Sequence, residues 1–294
     1  MNLSSRTEHI LSKPSWIRTR WSRDATYERV EELLHANGVH TVCREAHCPN
    51  TMECWSRGTA TFLILGDVCT RRCRFCAVKK RIPVYPDLSE PLRVAMTIQA
   101  MGLQHAVITS VTRDDLSDGG ASCFSETIRE ISTHAPECTV EVLVPDFMGT
   151  KEALADVLLA GPDVFAHNVE TIQRLYKKIR PQADYQRSLD LLSQAKTYNP
   201  GVKVKSSIML GLGESGDEIR AVMADLRTAG CDMLTLGQYL RPTRDHFPVK
   251  RYWTPDEFNT LKEEAFTIGF SWVESGPLVR SSYRAEAPFR QGDA

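Results

Sequence analysis

Two adjacent runs decide the fold of this chain: Thr61-Phe-Leu-Ile-Leu-Gly66 and Cys69-Thr-Arg-Arg-Cys73-Arg-Phe-Cys76. The first run is apolar and has the length of a β-strand. The second carries three cysteines in a CxxxCxxC spacing, and we call them the CxxxCxxC triplet. Three thiolates packed this closely can bind three irons of a four-iron cluster, which leaves the fourth iron without a protein ligand. An iron that is open in this way can hold a substrate or a cofactor.

The composition is ordinary for a soluble globular enzyme. The chain has 294 residues, 42% of them apolar and 25% charged, with a formal net charge of -1. These values favour neither a nucleic-acid nor a membrane partner, and the first residues lack the apolar core of a secretory signal. Six of the nine cysteines lie between residues 43 and 76. In a reducing cytosol such clusters bind metal, so we expect a cytoplasmic protein, and nothing argues against a monomer.

From residue 61 onward, apolar runs of strand length alternate with amphipathic stretches. The runs lie at 61–65, 105–111, 139–144, 163–166, 203–209 and 233–239. Near-continuous apolar strands separated by helices predict a parallel sheet covered by helices. Six βα units are too few for an eight-stranded barrel, so we expect an α/β fold, an open (βα)6 partial barrel, with a doubly wound sheet as the alternative. In both folds the active site lies at the C-terminal ends of the strands.

Polar residues follow three of these strands, where the active site is expected. They occur in the strings Thr109-Ser-Val-Thr-Arg-Asp-Asp115, His167-Asn-Val-Glu170 and Gln238-Tyr-Leu-Arg241. Lys205 lies on the fifth strand, where an inward polar group would face a cofactor; a surface lysine is the alternative. For Asn168 and Glu170 the alternative is helix capping and a solvated first turn. The predicted cofactor contacts are Thr112, Asn168, Glu170, Lys205, Gln238 and Arg241.

A second group of cysteines, Cys43-x4-Cys48-x5-Cys54, precedes the first strand, and we call it the N-terminal triplet. Alone, it could bind zinc with His47 as the fourth ligand, since structural zinc sites have four closed ligands. Its spacing is wider than the Cys-x2-Cys pairs of zinc knuckles, which weakens the zinc interpretation. A single binuclear site formed by all six cysteines is a further alternative.

Taken together, these motifs resemble the lipoyl synthase family of radical S-adenosylmethionine (SAM) enzymes. The resemblance rests on the two triplets in this order, on Val111-Thr-Arg-Asp-Asp-Leu-Ser-Asp-Gly-Gly-Ala121 and on Arg280-Ser-Ser-Tyr283. It covers nearly the whole chain, beginning at Lys13-Pro-Ser-Trp. It implies an N-terminal extension at 1–60, a radical SAM partial barrel at 61–270 and a C-terminal tail at 271–294 that closes over the site.

The resemblance also implies the cofactors: two [4Fe-4S] clusters and SAM. Cys69, Cys73 and Cys76 would hold the cluster whose open iron chelates SAM and whose electron cleaves it to a 5'-deoxyadenosyl radical. Phe75 would pack beside the adenine of SAM, and ordinary core packing is its alternative. The family inserts two sulfur atoms at C6 and C8 of a protein-bound octanoyl chain.

The auxiliary cluster is the sulfur donor in this family. The resemblance assigns its ligands to Cys43, Cys48, Cys54 and Ser282. An alkoxide is a harder ligand than a thiolate and less natural for such an iron, so a labile serine ligand suits a cluster that must come apart. From the sequence alone, Ser281-Ser282 is an ordinary polar tail.

The family also implies partner proteins. They are octanoylated lipoyl domains of 2-oxoacid dehydrogenase complexes, the glycine cleavage H protein, a ferredoxin or flavodoxin as reductant, and an iron-sulfur carrier that rebuilds the auxiliary cluster. Basic residues near the N-terminus could dock an acidic carrier domain, or they are only solvated charges: Arg6, Lys13, Arg18, Arg20 and Arg23. The rival functions are another radical SAM enzyme, such as a methylthiotransferase or biotin synthase, and a non-enzymatic iron-sulfur or zinc carrier.

Overall fold

A computed structural model of the chain describes residues 11–19 and 23–289, so Arg6 and Arg20 lie outside the described residues. One sheet of eight strands runs through this part of the chain, with the strands side by side in chain order. The first pair is antiparallel and all later pairs are parallel. The strands are β1 (His40–Thr41), β2 (Thr61–Ile64), β3 (His105–Ser110), β4 (Thr139–Leu143), β5 (Val164–Ala166), β6 (Lys203–Leu210), β7 (Met233–Gln238) and β8 (Trp272–Gly276).

Helices connect each parallel strand to the next. The helices are α1 (Ala25–Ala36), α2 (Val42–Glu45), α3 (Thr51–Ser56), α4 (Glu90–Met101), α5 (Ala121–His134), α6 (Lys151–Leu159), α7 (Tyr176–Ile179), α8 (Tyr185–Tyr198), α9 (Gly216–Thr228) and α10 (Pro255–Ile268). Seven of them (α4 to α10) lie between consecutive parallel strands, and because α7 and α8 share one connection they form six βα units. The predicted (βα)6 architecture is therefore confirmed. No helix in the described ranges is long and apolar enough to span a membrane.

The structure extends the predicted sheet at both edges. All six predicted strands are present, and β1 and β8 are additions that the sequence did not predict. In β8 only Val273 is buried, so this strand lacks the near-continuous apolar pattern of a buried parallel strand. β8 begins at Trp272, after the proposed boundary at residue 270, and the division into three domains stays a prediction.

Alternation along β2 separates the inside of the sheet from the helical layer. Thr61 and Leu63 line a cavity inside the curved sheet, whereas Phe62 and Ile64 are fully buried on the other face. Helix α4 packs against this region and ends at Gly102, whose φ of 66° is left-handed and disfavours residues with a Cβ. The apolar core therefore lies between sheet and helices, and the inside of the sheet is free to form a site.

The two ends of the chain meet at the open edge of the sheet. β1 and β8 are the edges, and they do not pair with each other in the part that the structure describes. The side-chain amide of Asn50, just before α3, donates a hydrogen bond of 2.7 Å to the carbonyl of Leu278, just after β8. Residues around α3 and the segment that follows β8 are thus in contact at this edge.

Candidate active site

One cavity of about 490 Å³ contains every cysteine that the sequence assigned to metal. It lies inside the sheet, with the N-terminal triplet and the CxxxCxxC triplet both in its wall. Ser282 lines the same cavity, although it is more than 200 residues away from both triplets along the chain. The lining side chains from the predicted ligand set are Cys43, Cys48, Cys54, Cys69, Cys73, Cys76 and Ser282.

The loop with the CxxxCxxC triplet is fixed by backbone hydrogen bonds from other loops at the strand ends. The amide of Thr70 donates to the carbonyl of Thr112 after β3, at 3.0 Å, and the amide of Arg74 donates to the carbonyl of Ile179 in α7, at 2.8 Å. The amide of Phe247, after β7, donates to the carbonyl of Arg74 at 2.8 Å. Bonds to three separate parts of the barrel define the path of this loop.

Arg71, between the first two cysteines of this loop, anchors it through its side chain. The guanidinium donates to both carboxylate oxygens of Asp114, at 2.7 and 2.8 Å, and to Asp146 at 2.5 Å. Burial alone would raise the pKa of Asp146, but the bond and charge of Arg71 lower it below its ordinary value. Asp114 therefore helps to hold the cysteine loop in place through Arg71. Its neighbour Asp115 pairs instead with Arg113, at 2.8 Å. The two carboxylates do not form an acid/base couple.

The N-terminal triplet lies on two short helices. Cys43 is in α2, Cys48 follows that helix, and Cys54 is in α3. The pKa of Cys43 is raised to about 11, mainly by burial and to a smaller extent by the charge of Cys48. Burial raises the pKa of Cys54 as well, and the charges of Cys43 and Cys48 add to this effect. The three thiols are thus close enough to influence one another, in a place where water does not stabilise their charged form.

A single zinc ion does not suit this geometry. Tetrahedral ligands with zinc–sulfur bonds of 2.3 Å lie about 3.8 Å apart. Within the described ranges, neither triplet brings its three sulfur atoms within 4.8 Å of one another, and His47 does not complete such a group. The described residues therefore do not form the compact ligand group of a single zinc ion at either triplet.

The segment after β8 brings Ser282 to the N-terminal triplet. The hydroxyl of Thr61, at the start of β2, donates a hydrogen bond of 2.7 Å to Ser282 Oγ. The hydroxyl of the next residue, Tyr283, donates to a carboxylate oxygen of Glu53 at 2.8 Å, and Glu53 is the residue before Cys54. The Ser282 oxygen is therefore held in the cavity wall as a hydrogen-bond acceptor.

Comparison with known proteins identifies the family. The model of the radical SAM superfamily matches residues 63–226. A lipoyl synthase from Symbiobacterium thermophilum is 54% identical over 97% of this chain and 89% of its own length. A lipoyl synthase from Rubrobacter xylanophilus is 55% identical over 93% of this chain and 85% of its own length. The chain belongs to the lipoyl synthase family.

Solved structures agree with the partial barrel. Methylornithine synthase superposes with a TM-score of 0.55 at 14% identity, over 86% of this chain and 82% of that one. SuiB from Streptococcus suis, solved with SAM bound, superposes with a TM-score of 0.57 at 12% identity, over 78% of this chain and 55% of that one. At such identities the likeness shows the fold alone. The family resemblance and the fold class drawn from the sequence are both confirmed.

Membership of the radical SAM superfamily implies a [4Fe-4S] cluster and SAM, and the residues here fit both. The three thiols of the CxxxCxxC triplet face the cavity. Burial raises the pKa of Cys76 to about 12, so its thiol keeps its proton at neutral pH unless a bound metal replaces it. Asn168 Oδ1 is buried at the same cavity without a hydrogen-bond partner among the described residues. A buried acceptor of this kind is suited to a donor group of a bound ligand.

Six of the seven predicted SAM contacts line the cavity of this lipoyl synthase family member. They are Phe75, Thr112, Asn168, Glu170, Gln238 and Arg241. The amide of Asn168 donates to a carboxylate oxygen of Glu170 at 3.1 Å. Burial raises the pKa of Glu170. Their contact with SAM stays a prediction.

Two of these side chains already form hydrogen bonds with backbone groups of the protein. Gln238 donates from its amide nitrogen to the carbonyl of Arg251 at 3.0 Å and accepts from the amide of Trp253 at 2.9 Å. Arg241 donates to the carbonyl of His246 at 2.8 Å, and His246 Nε2 lies 3.0 Å from the carbonyl oxygen of Cys76. In this structure the two side chains shape the loop that supports the CxxxCxxC triplet.

The structure corrects the placement of Lys205, which is absent from the cavity lining. Its ammonium donates to both carboxylate oxygens of Glu141, each at 2.8 Å, and His105 Nε2 lies 3.6 Å from the same carboxylate. His105 and Lys205 lie in the first half of their strands and Glu141 is the central residue of β4, so none of the three is at the strand ends that carry the site. The alternation of side chains along β6 directs Lys205 toward the inside of the sheet, as expected. Lys205 lies too close to the beginning of the strand, however, to reach the cavity.

Arg180 is a residue of the site that the sequence did not indicate. It follows α7 and lines the cavity. Its guanidinium donates to the carbonyl of Asn168 at 2.9 Å and to the hydroxyl of Tyr176 at 3.1 Å. Its charge lowers the pKa of Cys73, although the larger effect of burial raises that pKa overall. Arg180 thus holds Asn168 and supplies positive charge near the CxxxCxxC triplet.

Proposed function

We propose that this chain catalyses the SAM-dependent insertion of two sulfur atoms at C6 and C8 of an octanoyl chain attached to a carrier protein. One observation supports this above all: in a lipoyl synthase family chain, both cysteine triplets and Ser282 line a single cavity. The target C–H bonds have no acidity, so acid–base groups cannot activate them. A radical derived from a cofactor can abstract a hydrogen atom from such a bond.

The residues of the cavity divide into two ligand sets. The CxxxCxxC triplet would hold one [4Fe-4S] cluster and leave an iron open for SAM. The N-terminal triplet and Ser282 would hold the second cluster. When bound, these groups supply the electron that cleaves SAM and the sulfur that is inserted. The hard oxygen of Ser282 suits an iron that must be released.

The strand β2 runs from one ligand set toward the other. Thr61, which contacts Ser282, begins this strand, and Cys69 follows its end. A strand of four residues spans about 10 Å at 3.3 Å per residue. The octanoyl chain would lie between the two sets, where the protein fixes its carbon atoms relative to both. The segment after β8 would close over this cavity and keep out solvent that quenches radicals.

The carrier would dock at the mouth of this cavity, with lipoyl-type domains as the substrates. Lys13 is exposed and lines the cavity, and Arg18 is exposed nearby in the chain. Surface charge mainly affects encounter and is screened over ~8 Å at physiological salt. Reversing Arg18 should raise the Michaelis constant for an intact acidic carrier domain and leave that for a short octanoyl peptide unchanged. Equal effects on both substrates would exclude this surface.

The identity of the carrier is the finer part of this proposal. We expect lipoyl domains of 2-oxoacid dehydrogenase complexes and the glycine cleavage H protein as substrates, a ferredoxin or flavodoxin as reductant, and an iron-sulfur carrier that restores the second cluster. These expectations follow from the family, and so does the cytoplasmic location.

The decisive experiment is anaerobic incubation with SAM, a reductant and an octanoyl-lysine peptide, followed by mass spectrometry. The expected product carries two added sulfur atoms, and its formation should be accompanied by 5'-deoxyadenosine. Metal analysis of the same preparation should give about eight irons per chain for two four-iron clusters. Zinc, or 5'-deoxyadenosine without sulfur insertion, would contradict the proposed function.

A further inference from the structure

The loop that follows the CxxxCxxC triplet exposes an unusual amount of apolar surface. We call residues 79–88 the post-cysteine loop. Ile82, Val84, Tyr85 and Leu88 are 94%, 82%, 83% and 85% exposed. Four large apolar side chains this exposed lie within seven consecutive positions, and exposed apolar surface of this kind marks interaction sites.

The same region is strongly basic. Residues 68–86 contain six arginines and lysines and no aspartate or glutamate, and Asp87, the one acid of the post-cysteine loop, pairs with Arg93 at 2.8 Å. Arg71 is buried and neutralised by Asp114 and Asp146, and Lys79 pairs with Asp67. Arg72, Arg74, Lys80 and Arg81 are exposed. A net positive charge therefore remains beside the exposed apolar side chains.

The post-cysteine loop lies on the outer side of the CxxxCxxC triplet. The ammonium of Lys80 donates to the backbone carbonyl of Cys73 at 3.2 Å. Among the described residues, the lining of the large cavity includes Ala77 and Val78 but none of residues 79–88. A partner bound here would contact the outer surface of the loop that holds the cysteines. It would not enter the cavity that would take the octanoyl chain.

We propose that the post-cysteine loop is the docking surface for an acidic one-electron donor protein. This inference rests on the proposed function, which requires one electron for each SAM cleaved. The partner would lose that electron and the cluster held by the CxxxCxxC triplet would gain it, with no atom transferred. Electron transfer slows steeply with distance, which favours a surface in contact with Cys73. Positive charge steers an acidic partner, and burial of the apolar side chains supplies affinity.

The first test measures binding directly. The probe is a fluorescently labelled oxidised flavodoxin, titrated with the chain at low salt and again at high salt. Reversal of one charge close to a partner's acidic patch should weaken binding about tenfold at low salt, so this is the effect expected of Arg81→Glu. Val84→Ser should weaken binding at both salt concentrations. Lys203→Glu is the matched control, because Lys203 is exposed at the start of β6, the opposite end of the strands.

The second test separates docking from catalysis. Formation of 5'-deoxyadenosine is measured with reduced flavodoxin and, in parallel, with dithionite, which is too small to need the patch. Arg81→Glu and Val84→Ser should slow the reaction driven by flavodoxin and leave the reaction driven by dithionite unchanged. Equal losses with both reductants, or unchanged flavodoxin binding, would overturn the proposal. So would a loss of affinity confined to an octanoylated carrier domain. If the unaltered chain cleaved no SAM with either reductant, the proposed function itself would fail.

Discussion

The two cysteine triplets line one cavity but are held in place by different contacts. The loop of the CxxxCxxC triplet is fixed by backbone hydrogen bonds to loops after β3 and β7 and to α7. The N-terminal triplet lies on short helices that meet the C-terminal segment mainly through side chains, in the pairs Asn50–Leu278, Glu53–Tyr283 and Thr61–Ser282. One site is part of the barrel, whereas the other is assembled from the two ends of the chain.

This difference suits the two proposed tasks. A group that is reduced and reoxidised repeatedly needs a ligand loop that keeps its shape. A group that gives up sulfur must be opened and rebuilt. A neutral hydrogen bond contributes only about 1 kcal/mol, and one to a charged group such as Glu53 about 1.5–3 kcal/mol. Contacts of this size can be broken and remade. The predictions below test whether the two sites are separable in this way.

The largest expected effect separates the triplets by activity. Cys73→Ala should abolish 5'-deoxyadenosine formation, because the ligand set that leaves an iron open for SAM is lost. Cys48→Ala should leave SAM cleavage measurable and abolish sulfur insertion, because Cys48 belongs only to the N-terminal triplet. Both products are quantified from one anaerobic reaction with an octanoyl-lysine peptide.

The control for this pair is the iron content of each variant, which should fall by about four per chain in both cases. If Cys48→Ala retained the other cluster and remained folded, yet cleaved no SAM, the two sites would not be separable.

The next effect concerns the proposed fourth ligand of the N-terminal triplet. Ser282→Cys should keep about eight irons and SAM cleavage, since thiolate is the usual ligand in such clusters. It should form little or no sulfur-containing product, because the softer thiolate holds iron more tightly and iron release stalls. The measurement is product per chain, with iron counted before and after one turnover.

Two results would count against this account of Ser282. A normal product yield from Ser282→Cys would show that a labile oxygen ligand is unnecessary. A normal yield from Ser282→Ala would show that no ligand is needed from this position.

The sequence predicted the parts of the molecule whose signals are local. Six buried strands were recognisable from apolar runs, and the two cysteine triplets that line the cavity were recognisable from their spacing, while their role as ligands stays a prediction. β8 was missed because only Val273 in it is buried. α10 was not assigned, although Thr254 and Glu257 form a capping box around Pro255 at its first turn.

The contacts that complete the site have no local signal. Thr61 and Ser282 are 221 residues apart, and Arg71 and Asp146 are 75 apart. Such pairs are created by the order and curvature of the strands, which spacing along the chain does not encode. Lys205 illustrates the same point, because its inward direction was predictable and its depth in the barrel was not.

An intermediate effect is expected at Lys205, which belongs to neither triplet. Lys205→Met leaves the buried carboxylate of Glu141 with His105, at 3.6 Å, in place of its closer partner Lys205, and breaking a buried ion pair in this way costs about 3–5 kcal/mol of unfolding free energy. Replacing both residues, in Lys205→Met with Glu141→Met, should recover most of that loss. Denaturant unfolding of the variants measures both values.

SAM affinity is the second measurement on these variants. The double variant should bind SAM as the unaltered chain does, because Lys205 does not line the cavity. Arg220→Met is a matched control for an exposed pair, with Glu264 at 2.9 Å, and should cost less than about 1 kcal/mol. Loss of SAM binding in a stable double variant would restore Lys205 to the site.

The smallest effect tests the hydrogen bond that places Ser282. Thr61 is buried, and its hydroxyl donates only to Ser282 Oγ among the described residues. Thr61→Val keeps the β-branched shape that suits the first residue of β2 and removes the donor. Losing a bond worth about 1 kcal/mol corresponds to roughly a fivefold change in how firmly Ser282 is held. Release of iron to a chelator should therefore be about fivefold faster in Thr61→Val, by the same estimate.

Thr61→Ser is the conservative control, because it keeps the hydroxyl and loses only a methyl group. It should release iron at nearly the rate of the unaltered chain, whereas Ser282→Ala should release iron at least as fast as Thr61→Val. If Ser282→Ala accelerates release and Thr61→Val does not, Ser282 is a ligand that needs no help from Thr61. If Thr61→Ser and Thr61→Val behave alike, packing at the start of β2, and not the hydrogen bond, controls the site. Only the graded order, with serine close to threonine and valine close to Ser282→Ala, supports a site assembled from the two ends of the chain through this contact.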